Sequence, residues 1–210
     1  MALFLLFFIP LSFVLYIFYQ RQKGAEAAVL GLHFLWGILS FIPAMVLFLM
    51  GRGFGALNYT AVAFYFYYFF YEHFLWLALA IILFMLVKRF ILKELEDCPF
   101  PLNFAYGCGF YTAVAVFVCL DHINHFNFYL LFLYPLLALA TVCGLACFLN
   151  LFFHSYGLLR WLSLGAIAIL PFLLNLATVL AWRNLWFWSI LTTLLLFAGA
   201  VVVFFLVGEK

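Results

Sequence analysis

Charge is what this sequence has least of. Asp, Glu, Lys and Arg supply 8% of its 210 residues, where a soluble domain carries about 25%. Water is therefore not the solvent for most of the folded surface. The net charge is only +2. No basic cluster is dense enough to form a polyphosphate or lipid-headgroup platform, and nucleic acid is excluded as a partner on the same ground. Cysteine is sparse as well: Cys98, Cys108, Cys119, Cys143 and Cys147, with no CxxC pair. Four of them fall inside apolar runs, where cysteine behaves as a small apolar residue, so a disulfide framework or thiolate metal cluster is disfavoured. Residues 1–8 contain neither Lys nor Arg, and Arg21 and Lys23 follow the first apolar run. That order is the reverse of a secretory signal, so the first segment reads as a retained helix.

Apolar residues make up 71% of the chain and aromatics 23%. Each membrane crossing needs about 20 apolar residues to span a hydrocarbon core of roughly 30 Å. Polar punctuation separates seven such segments: about 2–19, 28–50, 56–87, 102–120, 128–153, 158–182 and 185–207. The expectation is an all-α, polytopic transmembrane bundle of about seven spans, forming one domain over residues 1–210. Arg21, Lys23, Lys88, Arg89, Lys93, Arg160 and Lys210 fall at one set of span ends, and only Arg52 and Arg183 at the other. The positive-inside rule then places the N-terminus outside and the C-terminus in the cytoplasm. The expected location is a membrane of the bacterial inner (cytoplasmic) type.

Pro10, Pro43, Pro135 and Pro171 lie within spans, where neighbouring helices satisfy the freed carbonyls and kinks are the ordinary outcome. The linker from Lys88 to Pro101 reads as a solvated connection, closed by Pro99 and Pro101 before the fourth helix. Phe64 to Tyr71 is an unbroken run of eight aromatic residues. An interfacial belt accounts for it, as does a lateral docking surface for another membrane helix.

Ionisable groups inside spans are expensive and mark functional candidates. They are His33, Glu72, His73, Asp121 and His154, with His122 and His125 in the loop after Asp121. Glu72 precedes Lys88 by sixteen residues, or about 24 Å of helix. Asp121 follows Pro101 by twenty residues, or about 30 Å. Both reach the outer part of the bilayer, on consecutive spans that are expected to pack as neighbours. Glu72, His73, Asp121, His122 and His125 then converge on one pocket, with Glu72, His73 and Asp121 as the catalytic candidates. All five are of the types that ligate zinc, whose bound water attacks carbonyls near neutral pH while a carboxylate shuttles the proton. The alternative is a wet external loop to which Glu72 snorkels. His33 and His154 read as isolated packing histidines.

The stretch Asp97-Cys98-Pro99-Phe100-Pro101-Leu102-Asn103-Phe104-Ala105-Tyr106-Gly107-Cys108-Gly109-Phe110, followed by Phe117-Val118-Cys119-Leu120-Asp121, resembles the PrsW family of intramembrane metalloproteases, which is related to the CAAX-processing proteases. The family pattern is a polar linker, YGxxxGxGF and then FxxxE; here Asp121 stands at the place of the last Glu. Glu72-His73-Phe74-Leu75-Trp76 corresponds to the family's EExxK, with His73 for the second Glu and Trp76 for the Lys. Pro171-Phe172-Leu173-Leu174-Asn175 stands where a histidine segment is expected, and the fifth helix offers no histidine before His154. The resemblance covers roughly residues 60–180. It implies a catalytically degenerate protease fold that binds membrane partners, or an active zinc-dependent protease. A third hypothesis, free of family content, is an accessory subunit of a transporter or secretion complex. In every case the partners are the bilayer and other membrane proteins.

Overall fold

The computed structural model describes residues 2–23, 26–52, 61–90, 100–121 and 128–208. Its elements are α1 (Ala2–Gln22), α2 (Ala27–Arg52), α3 (Ala61–Tyr68), a π-helical segment (Phe69–Phe74), α4 (Leu75–Phe90), α5 (Phe100–Asp121), a second π-helical segment (Tyr129–Leu133), α6 (Tyr134–His154), α7 (Leu158–Trp182) and α8 (Trp186–Gly208). Among the described residues there is no strand. Helix is what a chain this apolar must form, because lipid offers no partner to an open backbone N–H or C=O. Six helical runs meet the length and hydropathy of a membrane span, and α1, with 21 apolar-rich residues, is long enough to be a seventh. The protein is an all-helical integral membrane protein, and within the described residues each of the seven segments read from the sequence falls on one of these helices; residues 56–60 of the third segment, and most of the Lys88–Pro101 linker, lie outside the described residues.

Connections are tight where they are described. Gly157, at φ 64°, breaks the chain between α6 and α7, a backbone region that glycine enters without steric penalty. Asn184, at φ 59°, turns it between α7 and α8, and the Leu185 amide donates back to the Leu180 carbonyl at 2.9 Å. Asparagine is the residue that most often substitutes for glycine at such helix ends.

The two central helices are α5 and α6, each 67% buried over its membrane window, against 11% for α8. Small residues account for the position of α5. A Cβ added to Gly37 of α2 would lie 2.7 Å from the Phe110 amide nitrogen, and one added to Gly109 would lie 2.8 Å from the Phe34 carbonyl carbon. The two backbones thus touch directly, the close approach that small residues permit between membrane helices. Above this crossing, Trp76 stacks on Phe41 and Phe48, with ring centroids 5.6 and 4.6 Å away, and meets Phe117 edge-on at 5.8 Å. Trp76 is buried, so the position where the family resemblance expects a lysine is a packing position here.

The span ends fall into two sets. Tyr19, Lys23, Phe100 and Gly208 surround one crevice, and the Lys88 ammonium lies 3.9 Å from the centre of the Phe153 ring. The end of α1, the start of α5 and the end of α8 therefore lie together, as do the ends of α4 and α6. Within each group, the ends are ones that the positive-inside argument places on the same side.

The aromatic run is not a bare belt. Phe69 stacks on Phe172 of α7 at 4.0 Å and Tyr68 meets Trp182 at 5.7 Å. The Tyr65 hydroxyl donates to the Phe172 carbonyl at 3.2 Å, and Asn175 Nδ2 donates to the Tyr65 carbonyl at 2.9 Å. One face of the run docks on α7 of the same chain, while Phe66 and Phe70 remain exposed.

Candidate functional site

Both π-helical segments lie at one end of the bundle, and they shape the site there. The Leu75 amide donates to the Phe70 carbonyl, and the Tyr134 amide to the Tyr129 carbonyl, each the i→i−5 bond of a widened turn. The second widening precedes Pro135, which has no N–H to continue the ladder. The first contains Glu72 and His73.

Glu72 and Asp121 line one cleft of about 130 Å³. Its walls are Phe48, Tyr67, Tyr68, Tyr71, Trp76, Phe117, Val118, Leu130 and Tyr134. Asp121 is the last residue of α5, so the matched depth argued from helix rise corresponds to a shared cavity. The assumed adjacency contributes less: α4 and α5 touch only lightly, and α2 packs against both. Phe48 of α2 and Tyr134 of α6 complete the walls between the two carboxylates.

His73 does not line that cleft. It is buried, 7% exposed, and its Nε2 is 2.8 Å from Thr178 Oγ1 of α7. Thr178 Oγ1 lies 2.6 Å from the Tyr129 hydroxyl and donates to the Leu174 carbonyl at 3.3 Å. The threonine oxygen is thus the common hydrogen-bond partner of the histidine and the tyrosine.

Glu72 and His73 do meet at a second, much smaller cavity of about 10 Å³, lined also by Tyr111, Tyr134, Leu137, Ala138 and Thr141. This is roughly the volume that admits one water molecule. The Tyr111 hydroxyl is buried and has no hydrogen-bond partner among the described residues. Glu72 thus faces two spaces, an aromatic-walled cleft and a water-sized polar pocket.

His122 and His125 lie outside the described residues. Among the described residues no group of three His, Cys, Asp or Glu side chains is placed to hold a metal ion. Within the described set, Glu72 and Asp121 supply the cleft with two carboxylates and no imidazole. His33 Nδ1 donates to the Val29 carbonyl at 2.9 Å, and His154 Nδ1 to the Asn150 carbonyl at 3.0 Å. His33 is buried, with no partner for its Nε2 among the described residues, and packs as expected; His154 is exposed and is not a packing histidine. Cys108, Cys119, Cys143 and Cys147 are free and buried, and Cys98 lies outside the described residues.

Sequence reasoning missed Thr178, Tyr129 and Tyr111. The signal was present as isolated hydroxyls within apolar runs, but nothing in a single sequence says which of them face each other. No family model, curated protein or solved structure matches this chain.

Proposed function

We propose that this chain is a partner-binding protein of a bacterial-type inner membrane, laid out like a PrsW-type intramembrane protease but not cleaving peptides. The observation that supports this reading is the engagement of His73. At the position where the family pattern has its second glutamate, the side chain is bonded to Thr178 and stands outside the cleft that Glu72 and Asp121 share. A site that keeps two carboxylates and an aromatic wall binds cations well. The carboxylates supply charge, and the faces of Tyr rings attract ammonium and guanidinium groups. The partner segment is therefore a membrane helix flanked by Lys or Arg at the level of this cleft.

Fluorescence binding in nanodiscs tests the proposal with a hydrophobic peptide flanked by lysines and a control flanked by glutamines. The lysine peptide binds more tightly, and Glu72→Gln with Asp121→Asn removes the preference. Equal binding of both peptides would sink the reading.

A second reading, an active metal-dependent protease, draws support from Glu72 and Asp121 lining one cleft and from His122 following Asp121 directly. Metal analysis of protein purified with zinc present separates the two. Stoichiometric zinc that is lost in Glu72→Gln favours the protease, and absence of zinc favours the binding protein.

A further inference from the structure

A cleft of about 280 Å³ runs between α6, α7 and α8, well away from the carboxylates. Small residues make up much of its lining: Ala140, Gly144, Ala166, Gly199 and Ala200. Leu170, Leu195 and Val203 are among the branched side chains of its walls. Ala166, Leu195, Gly199 and Val203 are exposed, so the cleft opens sideways, toward the medium that surrounds the bundle. In a membrane protein that medium is hydrocarbon.

Polarity enters only at one end. Ser163 lines the cleft, and its hydroxyl donates to the Arg160 carbonyl at 2.8 Å. Leu151 and Phe148 line the same end, and Phe148 packs on Phe152 with ring centroids 5.4 Å apart. The exposed Arg160 guanidinium lies over the Phe152 ring, 4.2 Å from its centre. A stacked guanidinium uses its face and keeps its N–H fork directed sideways, the geometry that grips a phosphate. Arg160 is the third residue of α7, which puts it at headgroup level just beyond the cleft.

We propose that this cleft is a binding site for one anionic phospholipid, with an acyl chain between α6, α7 and α8 and the phosphate on Arg160. A groove lined by glycine and alanine also suits a second membrane helix. The cation at its mouth decides for the lipid: a helix laid in the groove has no need of it, and an anionic headgroup does. The site is independent of the Glu72–Asp121 cleft and stands or falls separately.

Native mass spectrometry and thermal unfolding of the whole chain in mild detergent test it, with phosphatidylglycerol and phosphatidylcholine as probes. The wild type retains one phosphatidylglycerol and is stabilised by adding more, with a weaker response to phosphatidylcholine. Arg160→Gln lowers phosphatidylglycerol binding about tenfold, the scale of one lost charge-assisted hydrogen bond, and removes the discrimination. Gly199→Leu fills the cleft and abolishes retention of either lipid. A Cβ at Gly199 meets no atom within 4 Å, so the backbone there accepts a side chain; Ala166→Leu, from α7, is an independent second blocker. Equal binding of both lipids, or retention unchanged in these variants, overturns the proposal. A dimer that both blocking variants dissociate, with no lipid retained by the wild type, also overturns it and assigns the cleft to a second copy.

Discussion

His73 Nε2 and Thr178 Oγ1 are joined at 2.8 Å across 105 positions of sequence, tying the π-helical turn of the third span to α7. The bond fixes which way the histidine faces, and with it the composition of the carboxylate cleft. A double-mutant cycle of His73→Ala and Thr178→Val measures it. The expected coupling is about 0.6 kcal/mol, the mean for hydrogen bonds between membrane helices, and at most about 1.7 kcal/mol. Zero coupling would mean that His73 is free to turn toward Glu72.

Backbone contact between α2 and α5 leaves no room for a side chain at Gly37 or Gly109. Gly109→Ala and Gly37→Ala should each destabilise the bundle by about 1–3 kcal/mol, the usual penalty of overpacking. Gly165→Ala is the control, since a Cβ there meets nothing within 4 Å and alanine favours helix over glycine. Thermal unfolding in detergent should rank the control at or above wild type and both crossing variants below it.

Asn103 is completely buried, and both polar atoms of its side chain lack a hydrogen-bond partner among the described residues. Replacing it with leucine removes that unsatisfied pair and keeps the number and branching of side-chain heavy atoms. Asn103→Leu should raise stability by about 1 kcal/mol, since an unmet buried polar group costs about 1–3 kcal/mol. A fall in stability in both Asn103→Leu and the smaller Asn103→Ala would point to a bound water or other group that the asparagine serves, since overpacking affects only the larger side chain.

Seven helices were legible from hydropathy and punctuation because lipid imposes one rule on every span. The depth argument also carried Glu72 and Asp121 into one cleft, since helix rise is nearly constant. Rotation about each helix axis was not legible. An ideal helix turns about 100° per residue, which separates Glu72 from His73. The widened turn over Phe69–Phe74 changes that angle, and no short motif announces it. The aromatic run illustrates the same limit: its level in the membrane could be argued, but its docking on Phe172 and Trp182 required the fold.

Orientation is testable without a structure. Tyr156, 90% exposed between α6 and α7, belongs to the cation-rich set of ends, and Asn184 to the other. In a Cys98→Ser background, Tyr156→Cys should react with a membrane-impermeant maleimide only from the cytoplasmic side, and Asn184→Cys only from outside. Native Cys98 should behave like Tyr156→Cys. The opposite pattern would invert the topology.

The helix at the centre of the bundle is also the least apolar of the six measured spans: mean hydropathy is 1.5 for α5 and 2.8 for the peripheral α8. During synthesis the membrane accepts α8 on its own merits, whereas α5 arrives poorly qualified to stay and α6 has not yet been made. Its earlier partner α2 is already in place, and the glycine crossing gives α5 an immediate docking surface there. Gly37 and Gly109 therefore act on the order of assembly as well as on the finished packing. A chain truncated after residue 127 should hold its fourth span in the bilayer only while both glycines are intact.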